Sequence, residues 1–153
     1  MPSKKKASAL ESHVGFWLRF VSNHVSASFA ALVEQHGVSV SEWVALRHMY
    51  DRDASTASEL IAALGMTKGA VSKILTRLQD KGLVQRYIVD DDLRAQQLCL
   101  TEEGRTLVPK LAALADQNDE AFFGQLNDEQ RNALLGTLKL LVRVNDLKQL
   151  PVL

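Results

Sequence analysis

The stretch Ala57-Ser58-Glu59-Leu60-Ile61-Ala62-Ala63-Leu64-Gly65-Met66-Thr67-Lys68-Gly69-Ala70-Val71-Ser72-Lys73-Ile74-Leu75 decides the fold. It holds two helix-length segments on either side of a glycine. Thr56, with Glu59 three positions on, forms a capping box that opens the first segment, and Gly65 ends it. Thr67 caps the second, which runs from Lys68 to Lys81 and stops at Gly82. Two short helices meeting across a glycine turn make a helix-turn-helix. Leu60, Leu64, Met66, Val71 and Ile74 are the positions where the two helices must touch. Ile61 is bulky for a position that faces the other helix, so either Ala62 comes nearest the crossing or the angle opens slightly.

Rotating the second of these helices by about 100° per residue gathers Val71, Ile74, Leu75 and Leu78 on one side. The other side shows Gly69, Lys73, Thr76 and Asp80, flanked by Ser72 and Arg77, with Lys68 at the N-terminal end. A helix fits the major groove of duplex DNA, where Lys and Arg bond guanine O6 and N7 and hydroxyls pair with several base edges. Lys73 and Arg77 suit the first role, and Ser72 and Thr76 the second. Lys68 and the free N–H groups of the first turn suit a phosphate. The small residues Gly69 and Ala70 let the backbone come close.

Outward from this core, Leu10, Val14, Trp17, Val21, Val25, Phe29 and Leu32 or Val33 recur at helical spacing, predicting a helix of roughly 25 residues that Gly37 ends. Ser39 to Glu42 reads as a capping box that opens a short helix from Val40 to about Asp51, followed by a polar turn. Leu83–Val89 and Gln96–Leu100 are rich in β-formers and pair as a hairpin across an acidic loop, Asp90-Asp91-Asp92. Thr101 caps a fifth helix to about Phe123, kinked at Pro109, and Asn127 caps a sixth that ends near Asn145. The expected architecture is mainly α with a small β-hairpin wing. Residues 1–7 form a disordered basic tail, 8–36 a dimerisation helix, 37–100 the winged helix-turn-helix lobe and 101–153 C-terminal dimerisation helices.

Charge supports this division. The 153-residue chain has 18 Lys+Arg against 18 Asp+Glu, a net charge of zero that alone argues against a nucleic-acid partner. Between Leu64 and Val89, however, Lys68, Lys73, Arg77, Lys81 and Arg86 face a single acid, Asp80, and field depends on where charges sit. Arg86, on the first wing strand, joins the candidate DNA-binding set. No run approaches the length of a membrane span, no signal peptide is read at the start, and one cysteine precludes an intramolecular disulfide, so a reducing cytoplasm is expected.

These residues, in this order, resemble the MarR family of winged helix-turn-helix transcription regulators over roughly Val38 to Gly104. The most specific pieces are Ser58-Glu59-Leu60, Leu64-Gly65-Met66-Thr67-Lys68, Lys81-Gly82-Leu83-Val84, Asp92-Leu93-Arg94 and Leu100-Thr101-Glu102-Glu103-Gly104. The resemblance implies that the hairpin is a wing whose tip arginine, Arg94, enters the minor groove, supported by Asp92. It also implies a homodimer, formed by interleaving the first helix with the last two, on a pseudo-palindromic site with recognition helices roughly 34 Å apart. The long amphipathic ends fit that on their own account. The wing departs from the family pattern: three acids precede one arginine, and Leu93 stands where a second arginine is frequent. A weaker wing contribution, or one dependent on the Asp92–Arg94 geometry, is expected.

Many members release DNA when a small, often aromatic or phenolic, anion binds between arms and lobe. Trp17, Trp43, Arg47 and His48 are the candidates for such a crevice, although core packing is the favoured account of both tryptophans and a structural hydrogen bond that of His48. Cys99 offers a redox-sensing alternative, but it lies in a strand between Leu98 and Leu100, and the thiol-sensing members carry their cysteine near the N-terminus. His13, His24, His36 and His48 are spaced too far apart to share an ion, so no metal or other cofactor is expected. No phosphate loop, nucleophile elbow or metalloprotease motif points to an enzyme. The competing class is a winged-helix protein-interaction module, which needs neither the cationic face nor Arg94.

Overall fold

The computed structural model describes residues 6–88 and 96–152; Asp92, Arg94 and the rest of the predicted wing tip lie outside them. Six helices and one hairpin follow in the order α1 (Val14–Glu34), α2 (Val40–Tyr50), α3 (Ala57–Leu64), α4 (Lys68–Asp80), β1 (Val84–Ile88), β2 (Gln96–Leu100), α5 (Glu102–Phe123) and α6 (Asp128–Val144). The first helix is shorter than its apolar stripe. Leu10–Ser12 form a separate 3-10 turn, and His13 between turn and helix is extended at φ −98°, ψ 127°. Trp17 Nε1 donates to the Glu11 carbonyl at 2.9 Å and holds the turn against α1.

The helix-turn-helix forms as its capping residues dictate. At the start of α3 both halves of the Thr56–Glu59 capping box are made, and Gly65 closes the helix at φ 63°, a conformation that costs other residues roughly 1–2 kcal/mol. Leu60 and Leu64 of α3 are buried with Val71, Leu75 and Leu78 of α4. Ile61 is half-buried and packs on this core, whereas Ala62 is exposed, so the contact is built around the isoleucine and not at Ala62.

The box expected at Ser39 is only half made. Ser39 Oγ accepts from the Glu42 amide, but the Glu42 side chain is not bonded to the Ser39 amide. Its carboxylate, 4% exposed, accepts from Lys81 Nζ at 2.6 Å and from Ser39 Oγ at 3.2 Å. This ion pair ties the start of α2 to the end of α4. A buried carboxylate needs such a partner, because desolvation without one costs several kcal/mol.

The hairpin is antiparallel, with Val84 opposite Leu100 and Arg86 opposite Leu98. A single-residue bridge adds a third rung: Ser55 and Leu98 exchange backbone hydrogen bonds at 2.8 and 2.7 Å. Leu83, expected in the first strand, precedes it and is buried. Its carbonyl accepts from the Thr101 amide at 3.0 Å, while Thr101 Oγ1 donates to the Gly82 carbonyl at 2.6 Å and caps α5 through the Gly104 amide. Gly104 is buried where a Cβ would run into the Leu83 carbonyl. The Thr-Glu-Glu-Gly stretch is therefore the clamp between wing and arm. Pro109 lies within α5, which continues to Phe123. Helix α6 buries none of its residues.

Gly104→Ala is expected to lower stability by about 1–3 kcal/mol, the usual cost of forcing a carbon into a filled site. Urea denaturation measures this; an unchanged midpoint would contradict the clamp.

Candidate nucleic-acid interface

Helix α4 separates its two faces completely. Val71, Ile74, Leu75 and Leu78 are buried, while Lys68, Gly69, Ser72, Lys73, Thr76 and Arg77 are all exposed, along with Asp80. Among the described residues, none of Lys68, Lys73 and Arg77 forms a salt bridge. No described carboxylate neutralises these cations, whereas the Lys81 ammonium is held by Glu42.

Two details sharpen the ridge. Thr76 Oγ1 donates to the Ser72 carbonyl at 2.9 Å, so the hydroxyl hydrogen is turned onto the helix and its oxygen remains an acceptor. At Gly69 a Cβ would meet nothing within 4 Å. Glycine inside a helix costs about 1 kcal/mol relative to alanine, and no described residue requires it here. Its small size leaves room on the outer side of the helix.

Arg86 does not join this ridge. It is half-buried, opposite the buried Leu98 on the core-facing side of the hairpin, and its Nε has no hydrogen-bond partner among the described residues. Strand alternation, applied to the hairpin, carries the signal: Arg86 shares the face of Val84, which is buried.

The four crevice candidates also divide. Trp43, Arg47 and His48 line a cleft of about 380 Å³ on α2, closed on another side by Leu150. Trp43 continues into a larger cavity of about 590 Å³ between α1, α2 and α5, which Phe29, Val40 and Asn118 also line. Trp17 lines neither; it lies 52% exposed beside Phe16 and Phe20 on the outer face of α1. Arg47 pairs with Asp51 at 2.7 Å and lies over the Tyr50 ring, its carbon 5.7 Å from the centroid. Burial and the Arg52 charge hold the His48 imidazole below its ordinary pKa of 6.5, against an opposing pull from Glu59.

Asn118 is the residue the sequence reading passed over. It is buried, its Nδ2 donates to the Val25 carbonyl at 3.1 Å, and its Oδ1 has no partner among the described residues. A polar residue at a position where the stripe Leu107-Leu111-Leu114 calls for an apolar one was the available signal. Cys99 is half-exposed, and its Sγ accepts from Gln85 Nε2 at 3.3 Å. Among the described residues no cluster of three His, Cys, Asp or Glu could hold a metal ion, and no helix is long and apolar enough to cross a membrane.

A glycine-turned helix pair, an exposed second helix and a hairpin clamped behind it define a winged helix-turn-helix protein. Residues 36–95 match the model of the MarR family. The HTH-type transcriptional regulator SarZ of Staphylococcus haemolyticus is 25% identical over 92% of this chain and 94% of its own length. Among solved structures, BpsR of Bordetella bronchiseptica superposes with a TM-score of 0.75 at 24% identity, covering 89% of this chain and 97% of that one. MepR of S. aureus in complex with DNA gives a TM-score of 0.75 at 23% identity, covering 86% and 98%. Over residues 36–95 the chain is thus similar to the MarR family, and its fold is that of winged-helix transcription regulators of this type.

The lowered His48 pKa has a measurable consequence. Because the unfolded imidazole takes a proton at higher pH than the folded one, the stability His48 contributes is present above about pH 6.5 and is lost as pH falls through the lowered folded value. A His48→Gln variant is expected to show a flatter fall of denaturation midpoint between pH 7 and 5. Identical slopes in the two proteins would refute the assignment.

Proposed function

We propose that this protein is a homodimeric, sequence-specific repressor that reads duplex DNA with α4 and is released by a small aromatic or phenolic anion. The observation that carries the reading is the α4 ridge, where six residues suited to bases and phosphates are exposed together while the opposite face is sealed in the core. Lys73 and Arg77 take base edges, Ser72 and Thr76 bases or phosphate, and Lys68 with the Gly69 amide a phosphate. Arg94, with Asp92 in support, enters the minor groove, where a narrow groove concentrates negative potential. Arg86 supports the hairpin from beneath and contributes less to DNA affinity than Lys73 or Arg77.

The dimer is supported by apolar surface that one copy leaves uncovered. Leu135, Leu141 and Val142 on α6 are 51, 42 and 48% exposed, and Val14, Trp17 and Phe20 on α1 are also exposed. A soluble chain seldom leaves so large a contiguous apolar surface open. Occupancy of a promoter by such a dimer in the cytoplasm would block transcription. The effector seat is the crevice of Trp43, Arg47 and His48 with the adjoining cavity, where an aromatic ring meets Trp43 and a carboxylate meets Arg47. BpsR is described as regulated in its DNA binding by 6-hydroxynicotinic acid, an aromatic acid of this class.

A random-oligonucleotide binding selection tests the reading: an inverted-repeat motif with half-sites one helical turn apart is expected. On the selected site, Lys73→Ala and Arg77→Ala should each weaken binding by about 1–3 kcal/mol. No enriched motif, or full affinity in both variants, would overturn the assignment. Sedimentation at micromolar concentration should give a dimer, and a monomer would contradict the role given to the arms.

A further inference from the structure

The chain does not end with α6. Asn145 closes the helix with its Nδ2 on the Leu141 carbonyl at 2.9 Å. Asp146 then takes a left-handed conformation, φ 51°, the only non-glycine among the described residues to do so. The Leu147 amide donates to the Val142 carbonyl at 3.0 Å, completing a reversal that turns the chain back toward the lobe. Four consecutive residues then find seats. Gln149 lies on the helix-turn-helix turn, its Cγ 2.7 Å from where a Gly65 Cβ would stand. Leu150 closes one side of the Trp43–Arg47–His48 cleft, Pro151 lines the larger cavity beside Phe29 and Trp43, and Val152 packs on the lobe core.

We propose that Leu147–Val152 is an intramolecular strap that occupies the mouth of the effector crevice and competes with the ligand for it. The inference rests on the reading of that crevice as the effector seat. Leu150 and Pro151 supply apolar surface to the same walls an aromatic ring would use, so ligand and strap exclude each other there. Ligand affinity is then reduced by the fraction of time the strap is open. The strap also explains Gly65 more fully than its conformation does, since a side chain at that position would strike Gln149 as well as strain the backbone.

The test uses 1-anilinonaphthalene-8-sulfonate, an aromatic anion whose fluorescence reports apolar burial, on three proteins: the full chain, a chain stopped after Asp146, and a Leu150→Asp/Pro151→Gly double variant. Signal that survives an Ala30→Trp substitution, which fills the larger cavity, is counted as binding elsewhere and subtracted. Circular dichroism checks that each variant is folded. The expected result is about tenfold tighter cavity binding in both tail variants, corresponding to a strap closed roughly nine-tenths of the time. Equal affinity in all three proteins would overturn the strap and leave the crevice standing as a ligand site. Absence of any Ala30→Trp-sensitive signal, with or without the tail, would overturn the crevice reading and the strap with it.

Discussion

Apolar surface that a single copy cannot cover is the constraint on which the rest depends. Helix α6 has no buried residue, and α1 leaves Val14, Trp17, Leu18, Phe20 and Val21 exposed. Covering the twelve exposed large hydrophobics of α1 and α6 in each copy, at about 1 kcal/mol each, would contribute on the order of 20 kcal/mol to a pair. That exceeds the roughly 4–15 kcal/mol by which association entropy opposes it. In the proposed dimer the arms therefore set where the two lobes stand, and the lobes inherit their spacing from surfaces that never meet DNA.

Within each lobe, the chain separates what holds α4 from what α4 displays. Burial of Val71, Ile74, Leu75 and Leu78 fixes its rotation, and the Glu42–Lys81 pair anchors its C-terminal end. The opposite face is left with cations that no described carboxylate neutralises. The Thr101–Gly104 clamp then joins wing to α5 through two hydrogen bonds, from the Thr101 amide to Leu83 and from its hydroxyl to Gly82.

Much of this was legible in the sequence because local rules and tertiary packing agree. Thr56, Thr67, Thr101 and Asn127 each cap the helix they open, and the Leu60–Leu64–Val71–Leu75 pattern places the core face of both helix-turn-helix elements. What escaped was non-local. Glu42 reads as a capping partner for Ser39 until Lys81, 39 residues away, takes its carboxylate. Lys81 in turn counts as a free cation until Glu42 is found beside it. Arg86 reads as one more positive charge until its register opposite Leu98 turns it inward. Ser55 looks like loop until it bridges to Leu98, and Trp17 shares a residue type with Trp43 but not a location. Periodicity specifies faces within an element; which elements meet is decided elsewhere.

The most direct test of the whole account is the distance between the two copies of α4. A Lys73→Cys variant in a Cys99→Ser background, spin-labelled at its one thiol, gives that distance by pulsed dipolar spectroscopy. A distribution centred near 34 Å, one turn of duplex, within the reach of the label, is expected. A sample with no dipolar coupling, or with a centre displaced by half a turn or more, would mean that the two ridges cannot lie in successive grooves.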